Sequence, residues 1–373
     1  MSQQQVGQSW GGQGNQGQRY RDQWNAPGGF APQHRFPQPG PQRPGYPRPG
    51  QQPYGQPPPF GHQPYGGGRP PQRRSPLKML LGSLVLVTIV AMAGVVTVNL
   101  NSSGSDVAYQ NDNYQVPPPD TDPPPLPYAQ SQDEVAAYLQ TNPFYDQSTP
   151  IPVRCDLKPI NLTTASDSAL KTHFSTLMGC LLRVWEPPIS DAGWQIVRPT
   201  VTIYGESVNT KCGNSGVNAF YCAADQQVYY SNLLVQAIPA VTAANRGGDI
   251  VVAHEFGHAL QARTGILITA HLATRNGSEA DQLLASRRLE AQADCFSGMF
   301  IRAVSRSLGI QQSDVPSIEN TFRAIGDDTL SGKANVEGDH GLARSRLYWG
   351  QEGLGHSTVS SCNTFVVPAS QVR

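Results

Sequence analysis

A run of twenty residues without a charge, "MLLGSLVLVTIVAMAGVVTV" from Met79 to Val98, constrains this chain more than any other feature. As an α-helix, a segment of that length covers about 30 Å, the thickness of a bilayer's hydrocarbon layer. A cleaved secretory signal has a shorter apolar core at the extreme N-terminus, whereas 78 residues precede this run. A buried core helix fits poorly as well, because the run is apolar all round and its two flanks have the composition of disordered chain. The reading is therefore an uncleaved signal anchor over residues 77–100. Arg73, Arg74 and Lys78 stand just before it, and Asp106 is the first charge after it. Positive residues stay inside. The expectation is a single-pass protein of the cell membrane, with a cytoplasmic N-terminus and everything past residue 100 extracytoplasmic.

The flanks differ sharply. Nine Arg or Lys residues and one acid, Asp22, fall in the first 78 positions, among Gln, Gly, Pro and Tyr. So few aliphatic side chains cannot offset the entropy of ordering, and residues 1–76 read as a disordered basic tail. Residues 101–130 are polar and proline-rich ("QVPPPDTDPPPLP"), which favours extended polyproline geometry and a semi-rigid stalk. Residues 131–373 are long enough for one domain with its own core. Over the whole chain 27 basic groups balance 27 acidic ones, so charge gives no reason to expect a nucleic-acid partner. All six cysteines (Cys155, Cys180, Cys212, Cys222, Cys295, Cys362) lie beyond the span, which suits disulfides on the oxidising side of a membrane. Six buried free thiols are the alternative.

Within the outer domain, Ser131 and Glu134 have capping-box spacing, predicting a helix that Pro143 stops. Leu170, Phe174, Leu177, Met178, Leu181 and Leu182 recur at helical spacing and predict an amphipathic helix ending before Pro187. "TVTIYG" and "QQVYYS" read as short strands around a Gly/Asn loop bracketed by Cys212 and Cys222. Two long helices follow, from about Gly248 to Thr264 and from about Glu279 to Leu308, with Gly265 and Gly309 as stops. After a turn-rich stretch, "ARSRLYWGQEGL" reads as a last helix. Strands first and helices afterwards give an α+β class.

The first long helix contains "VVAHEFGHAL". Residues four apart share a helix face, so His254 and His258 can point at one ion, and neutral imidazole suits Zn²⁺. Glu255, one step round, can reach a water on that ion without ligating it. A zinc-bound water is acidified towards neutrality, and a carboxylate can take its proton as it attacks a carbonyl. Gly257 would let this helix approach a neighbour closely. A hydrolytic zinc needs a third protein ligand and an open position. "LEAQADC" on the second helix offers Glu290 as that ligand. Asp294, one turn on, would accept a hydrogen bond from a ligand imidazole and fix its tautomer.

These stretches resemble the bacterial neutral zinc metallopeptidase family of the YpfJ type, whose members are gluzincin-like, with H-E-x-G-H on one helix and E-x-Q-A-D-C on the next. Further blocks agree in order over roughly residues 150–366. They are Cys212, Gly213, Phe220, Tyr221, Cys222, Asp225, Val228 and Tyr229; "AIGDD" at 324–328; His340, Gly341, Arg346 and Trp349; and "CNTF" at 362–365. The chain departs from the pattern at Ala259 and at Asn218–Ala219. The resemblance implies a zincin-like domain holding one zinc per chain through His254, His258 and Glu290, with Glu255 as general base. Cys212 with Cys222 and Cys295 with Cys362 lie in shared blocks and are the implied disulfides, which leaves Cys155 with Cys180. His340 is a candidate catalytic donor to a developing oxyanion, or else a residue that packs its loop. Arg346 fits a structural ion pair better than catalysis.

Two functions follow. One is a membrane-anchored extracytoplasmic metallopeptidase acting on peptides or proteins of the cell envelope. The other is a non-catalytic, zinc-stabilised binding or scaffold domain. Glu255 separates them, since a purely structural site needs no base, and structural zinc usually takes four protein ligands.

Overall fold

The computed structural model describes residues 107–373. The expected tail, membrane span and first residues of the stalk lie outside the described residues. Among those described, no helix is long and apolar enough to cross a membrane.

The helices are α1 (Gln132–Leu139), α2 (Asp167–Asp191), α3 (Gly247–Arg263), α4 (Ile266–Thr274), α5 (Glu279–Leu308), α6 (Val315–Ala324), α7 (Asp327–Ser331) and α8 (Ala343–Gly355). Five strands precede α3: β1 (Val201–Tyr204), β2 (Val208–Thr210), β3 (Gly213–Ser215), β4 (Ala219–Cys222) and β5 (Gln227–Ser231). The mixed class stands. β1 runs parallel to β5 and β4 antiparallel to it, in the order β1-β5-β4, while β2 and β3 form a separate hairpin. The segment between the two expected strands thus contains three more: β2 and β3, three residues each and too polar to read as strands, and the four-residue, wholly buried β4.

Two expectations fail for local reasons. α2 does not end before Pro187 but continues through Pro187 and Pro188. A proline cannot donate to the carbonyl four residues back. That carbonyl, Arg183 O, instead accepts from Asn111 Nδ2 at 2.7 Å, so the helix leaves no orphan there. Ser131 precedes α1 without capping it through its side chain, and Glu134 accepts from Gln130 N at 2.7 Å instead. A true capping box stands unforeseen at the head of α5, where the Ser278 side chain and Asp281 bond reciprocally to backbone N–H groups.

α3 is the axis of the domain, buried at all 17 positions. α5 crosses it at Gly257, where a Cβ would come within 3.0 Å of Ala293 Cα. α5 and α8 cross as closely through Gly298 and Gly353, whose added Cβ atoms would fall on the Gly350 and Cys295 carbonyls. Phe144, Trp185 and Phe296 interlock with ring centroids 5.3 to 5.9 Å apart and join α2 to α5. Each such pair adds about 0.5–1.5 kcal/mol beyond burial. The disulfides are Cys155–Cys180, Cys212–Cys222 and Cys295–Cys362, as the resemblance implied, and no cysteine is free.

The described part of the proline-rich segment is extended and lies along this domain. Asp120 N donates to Arg198 O at 2.9 Å, and Pro124 O accepts from Gln226 and from Arg263 at the end of α3.

Candidate metal centre

A helix buried on every side must satisfy each polar side chain it carries. α3 does so along its length. Asp249 meets His173 Nε2 at 2.6 Å and Arg246 Nη1 at 3.2 Å. Arg263 donates to Gln195 O at 2.8 Å and to Pro124 O at 3.0 Å. Between them His254, Glu255 and His258 reach towards α5 and β4.

The Nε2 of His254 lies 3.2 Å from Glu290 Oε2, and that of His258 lies 3.3 Å from Glu290 Oε1. One ligand atom from each of the three residues falls within 4.8 Å of the others. Zinc bound at ordinary lengths in a tetrahedral set holds its ligand atoms about 3.3 Å apart. The donors therefore fit the ion in type and in spacing. They are 4–6 % exposed, withdrawn from bulk water but not sealed.

The second ring nitrogens are also committed. His254 Nδ1 meets Asp294 Oδ1 at 2.9 Å, as the spacing on α5 suggested. Asp294 is gripped in turn by Arg346 from α8, through Nη2 at 2.9 Å and through Nε. Arg346 Nη1 also reaches Glu290 Oε2 at 2.9 Å, so this wholly buried cation ties Glu290 and Asp294 of α5 together. Arg346 holds a structural ion pair, as read from the sequence.

Glu255 is oriented by a contact that sequence reasoning missed. Tyr221 N, on β4, donates to its Oε2 at 2.9 Å. Burial pushes this carboxyl above the usual range, although His254, His258 and the Tyr221 amide pull the other way. Burial also opposes charge on His254, but Asp294 and Glu290 outweigh it and push the imidazole up to about 9. For Glu290 burial favours the neutral acid, yet His258 and His254 hold it well below its ordinary value. Such a concentration of negative potential around two imidazoles suits a divalent cation. His271 on α4 is a further neighbour not foreseen; burial first, then His258, pushes it down to about 4.

His340 lies on the loop before α8 with its Nδ1 2.9 Å from Asp339 Oδ1 and 3.4 Å from Asp327 Oδ1. Its side chain is 26 % exposed. Burial disfavours the imidazolium, but Asp339 and Asp327 overcome it and hold the ring well above its ordinary value, with Glu290 adding to the effect.

A structural zinc usually takes four protein ligands rich in cysteine, and every cysteine here is in a disulfide. Two imidazoles, one carboxylate and a second carboxylate standing beside them match the donor set of a hydrolytic rather than a structural zinc, carried by a domain of mixed helix and strand. The family follows. Residues 157–365 match the family model described as "Putative neutral zinc metallopeptidase", and the chain belongs to that family. YpfJ of Escherichia coli K12 is 28% identical over 216 residues, covering 55% of this chain and 74% of YpfJ. Rv2575 of Mycobacterium tuberculosis H37Rv is 28% identical over 202 residues, covering 49% of this chain and 66% of its own length. Both carry the name of uncharacterized proteins, so the family rests on the match to the family model. No solved structure matches the chain.

Proposed function

We propose that this chain is a zinc-dependent peptidase, anchored in the membrane by residues 77–100, that hydrolyses peptides or proteins on the extracytoplasmic side. The carrying observation is Glu255, a base fixed beside three metal-type donors that leave a fourth position for water or substrate. A non-catalytic, zinc-stabilised domain would have no use for it. The anchor rests on the uncharged run and its basic flank, and the outward orientation agrees with three disulfides and no free thiol.

His254, His258 and Glu290 would hold one zinc per chain. When bound, it would supply Lewis acidity, lowering the pKa of a water and polarising the peptide carbonyl. Glu255 takes the proton of the attacking water and passes it to the leaving amine. Its Oε2 is held by the Tyr221 amide, so Oε1 is the oxygen that moves the proton. Asp294 keeps His254 in the tautomer whose Nε2 carries the lone pair. His340 donates through its Nε2 to the oxyanion, because two carboxylates meet its Nδ1.

Metal analysis of the purified full chain tests the ligand set. It should return one zinc per chain, lost in His258→Ala and in Glu290→Ala. Undiminished zinc in His258→Ala would contradict the assignment.

A further inference from the structure

His254 is oriented by a carboxylate, but His258 is not. Its Nδ1 faces Gln261 Oε1 at 2.9 Å, one turn further along α3. An amide can present either its oxygen or its NH₂ group, so this contact alone does not say which partner donates. The rest of the chain of contacts decides it.

Gln292, on α5, places one end of its amide 3.0 Å from Cys362 O and 2.9 Å from the Tyr145 hydroxyl. A backbone carbonyl only accepts. The Tyr145 hydroxyl spends its own hydrogen on Leu139 O at 3.2 Å, so it too accepts from Gln292. That end is therefore Nε2, and Gln292 turns Oε1 towards Gln261 at 3.2 Å. Gln261 answers with its Nε2, whose other hydrogen goes to Leu289 O at 2.7 Å. Its Oε1 is left for the imidazole. Both glutamines are 0 % exposed, so water does not compete for these groups.

From this geometry we infer that Gln261 and Gln292 form a one-way amide relay, which starts at the Cys362 and Leu289 carbonyls and fixes His258 with its proton on Nδ1. Nε2, 3.3 Å from Glu290 Oε1, is then the nitrogen left to offer its lone pair to a zinc held beside that carboxylate. The inference rests on the metallopeptidase reading for the use made of that lone pair, and on the hydrogen bonds for its direction. A carboxylate in the place of Gln261 could take up the proton, but a neutral amide cannot. The two ligand histidines therefore have unlike supports: His254 a carboxylate balanced by Arg346, His258 an uncharged chain. Cys362 is bonded to Cys295, three residues beyond Gln292 on α5, so the disulfide fixes the carbonyl from which the relay starts. Gln261 and Gln292 are positioning residues and touch neither substrate nor metal.

The test is zinc affinity by chelator competition on the full chain. Gln261→Met keeps the shape and removes the acceptor, and should weaken zinc binding by about 10- to 100-fold. Gln261→Glu should recover most of that loss. As an ion it keeps the acceptor; as the acid that burial favours, its O–H replaces the lost donor as well. Mere packing reverses the order, because methionine fills the space and a buried carboxyl is penalised. Zinc affinity in Gln261→Met equal to wild type, or lower still in Gln261→Glu, would overturn the relay. A wild-type chain that binds no zinc would overturn the reading beneath it. A second measurement needs no variant: ¹⁵N spectra of the wild-type imidazoles should show the His258 proton on Nδ1 with or without zinc, and a bare Nδ1 would refute the relay.

Discussion

Arg346 is the residue on which the interior of the site depends most. It is 1 % exposed and bonded to Asp294 and Glu290 together. Removing one partner of a buried ion pair leaves uncompensated charge and costs about 3–5 kcal/mol. Arg346→Met should therefore lower the stability of the zinc-free protein by that amount, read from urea unfolding. A loss below about 1 kcal/mol would mean that the two carboxylates are already satisfied by the histidines and by bound protons. The same substitution should weaken zinc binding, because Glu290 loses the contact that holds its Oε2.

At the scale of elements, the close crossings of α5 with α3 and α8 bring Glu290 and Asp294 to the histidines and Arg346 to both. An added methyl at Gly298 would fall on the Gly350 carbonyl, which belongs to a helix backbone and cannot step aside. Gly298→Ala should therefore cost about 1–3 kcal/mol, seen as a lower Tm, and an unchanged Tm would show that the crossing has slack. Much of this frame was legible in the sequence. α5 runs from Glu279 to Leu308 as its pattern implied, because Gly309 takes a left-handed φ of 65° and ends it. The candidate donors were legible too, since helical spacing places His254 beside His258 and Glu290 beside Asp294, and the fold gathers His254, His258 and Glu290. The strand that steers Glu255 was not, because Ala219–Cys222 has no alternation to mark it and its partner β5 lies beyond a turn. Nor were Gln261 and Gln292, because nothing in their spacing tells that the fold buries both amides completely. Pro187 misled because the donor that replaces its missing hydrogen bond, Asn111, lies 72 residues before the Arg183 carbonyl that it satisfies.

At the scale of the whole molecule, the proposed function joins a candidate metal centre to a location. On the proposed function, Arg73, Arg74 and Lys78 ahead of an uncharged run would keep the tail inside and put residues 107–373 outside. Protease added to cells with permeabilised walls and intact membranes should shave the C-terminal domain and spare the tail. Removal of the tail alone would reverse the orientation without touching the chemistry. The chemistry stands on Glu255, and one comparison tests it most directly: digestion of a peptide library by the zinc-loaded wild type beside Glu255→Gln, with zinc measured in both. Glutamine keeps the size of the side chain and an acceptor for Tyr221 N but cannot take a proton, and a lost general base typically costs 10²–10⁴-fold in rate. The account predicts equal zinc in the two proteins and turnover lower by about that factor in the variant. Equal zinc with equal turnover would contradict it, as would a zinc-loaded wild type that cleaves no peptide in the library.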